Sequence, residues 1–221
     1  MHVDMMGLVA EIGMKYLPFL FALCFHEFAH GWVAKLKGDR TAEIMGRLTM
    51  NPLVHMDPIG TFVIPILMFS GAAAGIPLFG WAKPVPVNER NLQSPIKDMF
   101  WIALAGPLSN LLLAVIGMFA FVLVSNHVGD TVKGLPPMLD IFVYINLALA
   151  FFNLIPLHPL DGGKVFARFL PRDVNYWLEE NQGTLNIVLI VLFVTGAFRI
   201  ITYPVMWTRE FLFSIMSMVV P

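Results

Sequence analysis

Residues 5–34 read MMGLVAEIGMKYLPFLFALCFHEFAHGWVA. A helix needs about 20 apolar residues to cross the hydrocarbon core of a bilayer, and this stretch is long enough. Yet it carries His26, Glu27 and His30 in its last third. Ionisable side chains inside a span are costly and usually functional. The stretch therefore decides two things at once: the chain spans a membrane, and it holds a polar site inside that membrane.

Four further apolar segments lie downstream: Ile59 to Phe79, Met99 to Ser125, Leu139 to Pro156 and Thr184 to Trp207. Composition agrees with a membrane protein. Of 221 residues, 57% are hydrophobic and 13% charged, against about 45–50% and 25% in soluble domains. Mean hydropathy is +0.74. Only helices or closed barrels satisfy their backbone in lipid, and no ten-residue alternation of a barrel is visible. The expected fold is an all-α polytopic membrane protein, a bundle of about four to six transmembrane helices in one domain over residues 1–221. Net charge is −1, which gives no basic surface for nucleic acid. Cys24 is the single cysteine, so no internal disulfide forms. The first residues carry Asp4 and Glu11 and no basic n-region, so the N-terminus reads as mature protein rather than a signal peptide.

Lysine and arginine placement sets the orientation. The 35–57 loop has Lys35, Lys37, Arg40 and Arg47; the 80–98 loop has Lys83, Arg90 and Lys97; the 164–183 loop has Lys164, Arg168 and Arg172. The 127–138 loop has only Lys133. The three basic loops are expected in the cytoplasm. Segment 59–79 then has cytoplasmic loops on both sides and cannot cross once. Pro65, Gly60, Gly71 and Gly75 suit a re-entrant or strand-like segment near residues 59–90; a full crossing stays open as the alternative.

His26-Glu27-Phe28-Ala29-His30 is the pattern that carries chemistry. Residues i and i+4 share a helix face, so both imidazoles can bind one zinc ion, with Glu27 in reach of a water beside it. The pattern is expected about 0.005 times by chance in this composition. A hydrolytic zinc site needs a third protein ligand. The fourth span runs inward and ends in NLIPLHPLDGG at 153–163, which brings Asp161 to a depth similar to His26. An Asp-Gly-Gly turn at a helix exit is common, so spacing alone leaves Asp161 open between ligand and turn.

The pairing of HEFAH with NLIPLHPLDGG resembles the site-2 protease family of intramembrane metalloproteases. So do GRLTMNPLVHMDPIGTF at 46–62, GWAKPVPVN at 80–88 and ALAGPLSN at 103–110. The resemblance implies one Zn2+ per chain held by His26, His30 and Asp161, with Glu27 as the catalytic base. It implies that Asn153 and Pro156 handle substrate near the metal, and that the substrate is a transmembrane segment of another protein. The chain looks like a minimal core without a PDZ insertion or C-terminal regulatory domain, which leaves substrate selection to the core or to separate adaptor proteins. The expected location is the plasma membrane of a prokaryote, with the site near the cytoplasmic side. A zinc-binding transporter or chaperone is the rival reading.

In Lys83-Pro84-Val85-Pro86-Val87-Asn88 the prolines alternate. If this is a strand, the N–H groups of Val85 and Val87 face one edge, where an extended substrate can pair. A plain rigid loop is the alternative. His55 and His158 read as incidental histidines, and Cys24 as packing on another face of the helix.

Overall fold

The computed structural model of the protein describes residues 5–70, 80–128 and 131–220. Helix dominates, and no strand occurs among the described residues. The long α1 (Met5–Leu36) is followed by the short α2 (Pro58–Phe69), then by α3 (Pro95–His127) and α4 (Leu135–Asn153). Of these, α1, α3 and α4 are long and apolar enough to cross a membrane. Next come α5 (Asp161–Ala167), α6 (Arg172–Glu180), α7 (Gln182–Val194) and α8 (Thr202–Val219). The all-α polytopic fold is thus observed. Among the described residues the candidate spans number three, or four if α7 and Ala197–Val219 are one broken span, the low end of the expected range.

One face of α3 shows why these helices belong in lipid. Leu112, Ile116, Phe119 and Leu123 recur at helical spacing, and all are exposed. The opposite face buries Ala114, Met118 and Val122 against Val143 and Leu147 of α4 and Val205 of α8. Lipid tails are as apolar as these side chains, so close van der Waals contact, rather than escape from water, holds the helices together.

At the basic end, α3 starts after Ser94 with Pro95 in its first turn, where a missing N–H costs nothing. Asp98 reaches back to accept the Ser94 N–H at 2.9 Å, and its other oxygen meets Lys37 Nζ at 3.3 Å. The ends of α1 and α3 are pinned together there.

Helix α2 by itself is too short to cross. At about 1.5 Å per residue, α2 is roughly 18 Å long, against a hydrocarbon core of about 30 Å. The chain is back beside the start of α2 by Gly80. Trp81 N–H donates to Gly60 O at 3.1 Å, Thr61 Oγ1 donates to Trp81 O at 2.6 Å, and Lys83 N–H donates to His55 O at 2.9 Å. Residues 55–61 and 80–83 are therefore neighbours, an arrangement compatible with the re-entrant reading. Residues 71–79, with Gly71 and Gly75, lie outside the described residues.

The fifth apolar segment differs from its sequence reading. Thr184 to Trp207 reads as one continuous span, but the helix stops at Val194 and resumes after a 75° bend. Gly196 sits at φ +75°, the left-handed conformation that ends helices. Thr195 Oγ1 also competes for the carbonyls of Val191 and Leu192, at 2.9 and 3.2 Å.

Candidate metal centre

On α1, His26 and His30 point to one side. Asp161 reaches them from the first turn of α5. Its approach depends on the tight turn after α4, where Leu157 N–H bonds Ile155 O at 2.7 Å and Leu160 N–H bonds Leu157 O at 2.9 Å. Gly162 packs so close to the Ile155 carbonyl that a Cβ would collide with it. The Asp-Gly-Gly turn and the approach of Asp161 to the histidines are therefore one structure, so turn and candidate ligand are not exclusive readings.

The three side chains converge. His26 Nε2 is 3.0 Å from His30 Nε2 and 3.0 Å from Asp161 Oδ2, and His30 Nε2 is 3.3 Å from Asp161 Oδ2. They form the one cluster of three or more metal-ligating groups among the described residues. His30 Nδ1 donates to the Ile102 carbonyl at 2.7 Å, which leaves its Nε2 a lone pair. Asp161 Oδ2 is buried and accepts no hydrogen bond. Gly106 of α3 faces the same point. A Cβ there would stand 2.5 Å from His30 Nε2 and 2.6 Å from His26 Nε2. Electron-rich atoms crowd a space kept clear of side chain, and a cation satisfies them. Ligands at about 2.0–2.1 Å around tetrahedral zinc stand roughly 3.3 Å apart, close to the observed spacing. The nitrogen–oxygen donor set suits zinc as well.

Glu27 lines the same cavity, of about 320 Å3, as the three ligands. It is buried, and its Oε2 accepts the Val85 N–H at 2.8 Å. This corrects part of the sequence reading. Residues 80–88 are extended, but the Val85 N–H serves Glu27 rather than an incoming peptide. Val87 lines the cavity too, and its N–H has no hydrogen-bond partner among the described residues. The segment is held from behind. Arg47 Nη2 donates to Lys83 O at 2.8 Å and Pro84 O at 3.2 Å. Fully buried Asp39 accepts the Asn88 N–H at 2.7 Å.

Asn153 lines the cavity and donates to Leu149 O at 3.0 Å. Pro156 is exposed on the turn and outside the cavity. His55 is a fully buried brace whose Nε2 bonds Thr49 O at 2.9 Å. His158 is buried outside the ligand cluster; burial and the nearby Lys164 hold it below the usual imidazole range. Cys24 Sγ bonds Met50 O at 3.1 Å and plays a packing role. Sequence reasoning missed Gly106 as a wall of the site, and Asn110, whose Oδ1 lies 2.6 Å from His26 Nδ1. An asparagine inside a span is itself a signal.

His26, Glu27 and His30 on the spanning helix α1, with Asp161 brought beside them by α5, have the residue types and spacing of an HExxH metallopeptidase site. The comparisons agree. The model of peptidase family M50 matches residues 15–135 and 129–196. YwhC of Bacillus subtilis, named as a candidate zinc metalloprotease, is 38% identical over 87% of this chain and 86% of its own. Rip2 of Mycolicibacterium smegmatis, named likewise, is 28% identical over 80% of this chain and 65% of its own. The zinc metalloprotease MJ0392 of Methanocaldococcus jannaschii is 29% identical over 84% and 44%. No solved structure matches significantly. The chain belongs to peptidase family M50, the site-2 protease family. It is an integral membrane zinc metalloprotease of intramembrane type, acting on membrane proteins.

Proposed function

We propose that this chain hydrolyses peptide bonds in or beside transmembrane segments, at a site inside the bilayer near the cytoplasmic face, with one zinc ion held by His26, His30 and Asp161. One observation carries the reading: the three ligand atoms and the Glu27 carboxylate share one cavity, walled by an extended segment. Zinc, when bound, supplies Lewis acidity to the scissile carbonyl and to water.

Glu27 does the proton work. Its Oε2 is occupied by the Val85 N–H, so Oε1 takes the proton from water and later passes it to the leaving amine. Asp161 and the two histidines place the reaction beside that oxygen. Val87 offers its N–H to a substrate unwound into an extended strand, and Asn153 lines the same cavity. Pro156 acts only by shaping the turn that carries Asp161. The depth follows from α1: His30 is about 8 Å of helix rise from Lys35, and the basic loops mark the cytoplasmic side. The chain works as one domain over residues 1–221, with selection of substrates shared with separate adaptor proteins.

Glu27→Gln tests the reading. Cleavage of a membrane-protein reporter should fall at least about 100-fold while zinc content stays at one per chain, and bound substrate should become trappable. Unchanged cleavage would overturn it and favour a zinc transporter or chaperone.

A further inference from the structure

Asn110 of α3 and Asn146 of α4 are both fully buried among the spans. A buried amide is costly unless every polar group is bonded. Here the bonds form a chain whose direction is fixed by carbonyls at its far end. Asn146 Nδ2 donates to Phe142 O at 2.8 Å, so Asn146 turns its Oδ1 to Asn110. Asn110 Nδ2 donates to that Oδ1 at 2.9 Å and to Ala22 O at 3.1 Å. Both of its N–H hydrogens are then used, and it turns its Oδ1 to His26 Nδ1 at 2.6 Å. An acceptor there requires a donor on the ring, so the His26 proton sits on Nδ1 and the lone pair on Nε2, facing Asp161 and His30.

We propose that Asn110, oriented by Asn146, is a positioning residue that fixes the tautomer and ring direction of His26 and so sets the affinity of the metal centre. The two histidines differ in this. His30 is oriented by a backbone carbonyl, which sequence cannot alter, whereas His26 is oriented by side chains from two other helices. Metal affinity thereby reports how α1, α3 and α4 are packed. The inference rests on the zinc reading above.

The test uses the full chain purified in detergent. Zinc affinity is measured by chelator competition, the ligand field by cobalt absorption, and fold by thermal unfolding of the metal-free protein. Asn110→Leu should lose about 10–100-fold in zinc affinity with a changed cobalt spectrum. Asn110→Asp keeps an acceptor for His26 and should stay within a few-fold of the wild type. Asn146→Leu, one bond further away, should lose less than Asn110→Leu. Equal affinity and spectra in wild type and Asn110→Leu would overturn this inference alone, as would Asn110→Asp losing as much as Asn110→Leu. Wild-type protein that takes up no zinc would overturn the metal reading and this inference with it. Should Asn110→Leu fail to fold, Asn110→Asp and Asn146→Leu decide: an Asp variant that loses zinc, or an Asn146→Leu variant unchanged in affinity, counts against the proposal.

Discussion

The backbone N–H of Val85 donates to Glu27 Oε2 across 2.8 Å, joining residues 58 positions apart. The bond ties the extended wall of the cavity to the proposed base. A side-chain change at Val85 leaves it intact, and proline removes it. Val85→Pro should therefore cut cleavage about 100-fold or more with zinc still bound, whereas Val85→Ala should keep most activity. Reporter cleavage and zinc content of both variants check this; equal activity in the two would break the link.

Gly106 offers a sharper probe of the metal. A single methyl group would enter the space between the two Nε2 atoms. Gly106→Ala should abolish zinc binding and cleavage while the helices still form, as judged by circular dichroism and zinc content. Gly117→Ala is the control. Its Cβ would meet Phe142 at 2.7 Å and Val143 at 3.1 Å, which strains the α3–α4 packing away from the ligands. That variant should melt earlier and lose at most a few-fold in zinc affinity, through the Asn146–Asn110 chain, against the complete loss in Gly106→Ala.

Asp39 makes the extended wall sensitive to acid. Burial would raise its carboxyl, but hydrogen bonds from Thr41, Asn91 and the Asn88 N–H outweigh that and hold it below the usual range. A carboxylate lowered in the folded state stabilises fully above its unfolded value of about 4, and the gain is lost as pH falls through the folded value. Hydrogen exchange at Asn88 should accelerate as pH drops below about 4, after correction for the intrinsic rate. Asp39→Ala should show weakened protection already at pH 7, at a cost of about 1–3 kcal/mol.

Arg209 of α8 grips Asp140 of α4 with Nε at 2.8 Å and Nη2 at 2.6 Å. Removing Asp140 leaves Arg209 only Glu210 as a partner, and removing Arg209 leaves the Asp140 carboxylate without its cation; both groups are partly exposed, so each loss is modest. Asp140→Leu and Arg209→Leu should each lower the melting temperature in detergent. The double variant should recover much of the loss, which a double-mutant cycle reads directly.

Much of the architecture could be read from residue types alone. Long apolar runs gave α1, α3 and α4, and the spacing of His26, Glu27 and His30 gave the heart of the site. The count of lysines and arginines raised the parity problem, and the return of Trp81 to Gly60 is compatible with its re-entrant answer. Other features depend on contacts between distant segments, which no local pattern encodes. The bend at Gly196 arises because a left-handed glycine and a threonine hydroxyl act together. Alternating prolines gave the extended form of 83–88, but not which way its N–H groups point; Glu27 decides that. Asn110 and Asn146 were visible as polar residues in spans, but their partnership needs the packing of three helices. Pro156 belongs to the motif by sequence and to the turn, not the cavity, by position.

The shortness of α2 has an effect beyond parity. A wall of about 18 Å cannot match a hydrocarbon layer of about 30 Å. Lipids beside a short apolar wall compress or tilt to meet it, at an elastic cost that grows with the mismatch. On that flank headgroups and their hydration should lie closer to α2 than beside the longer spans. A guest helix arriving there loses part of its oily cover, so its nearest turn is offered to solvent before any protein contact unwinds it.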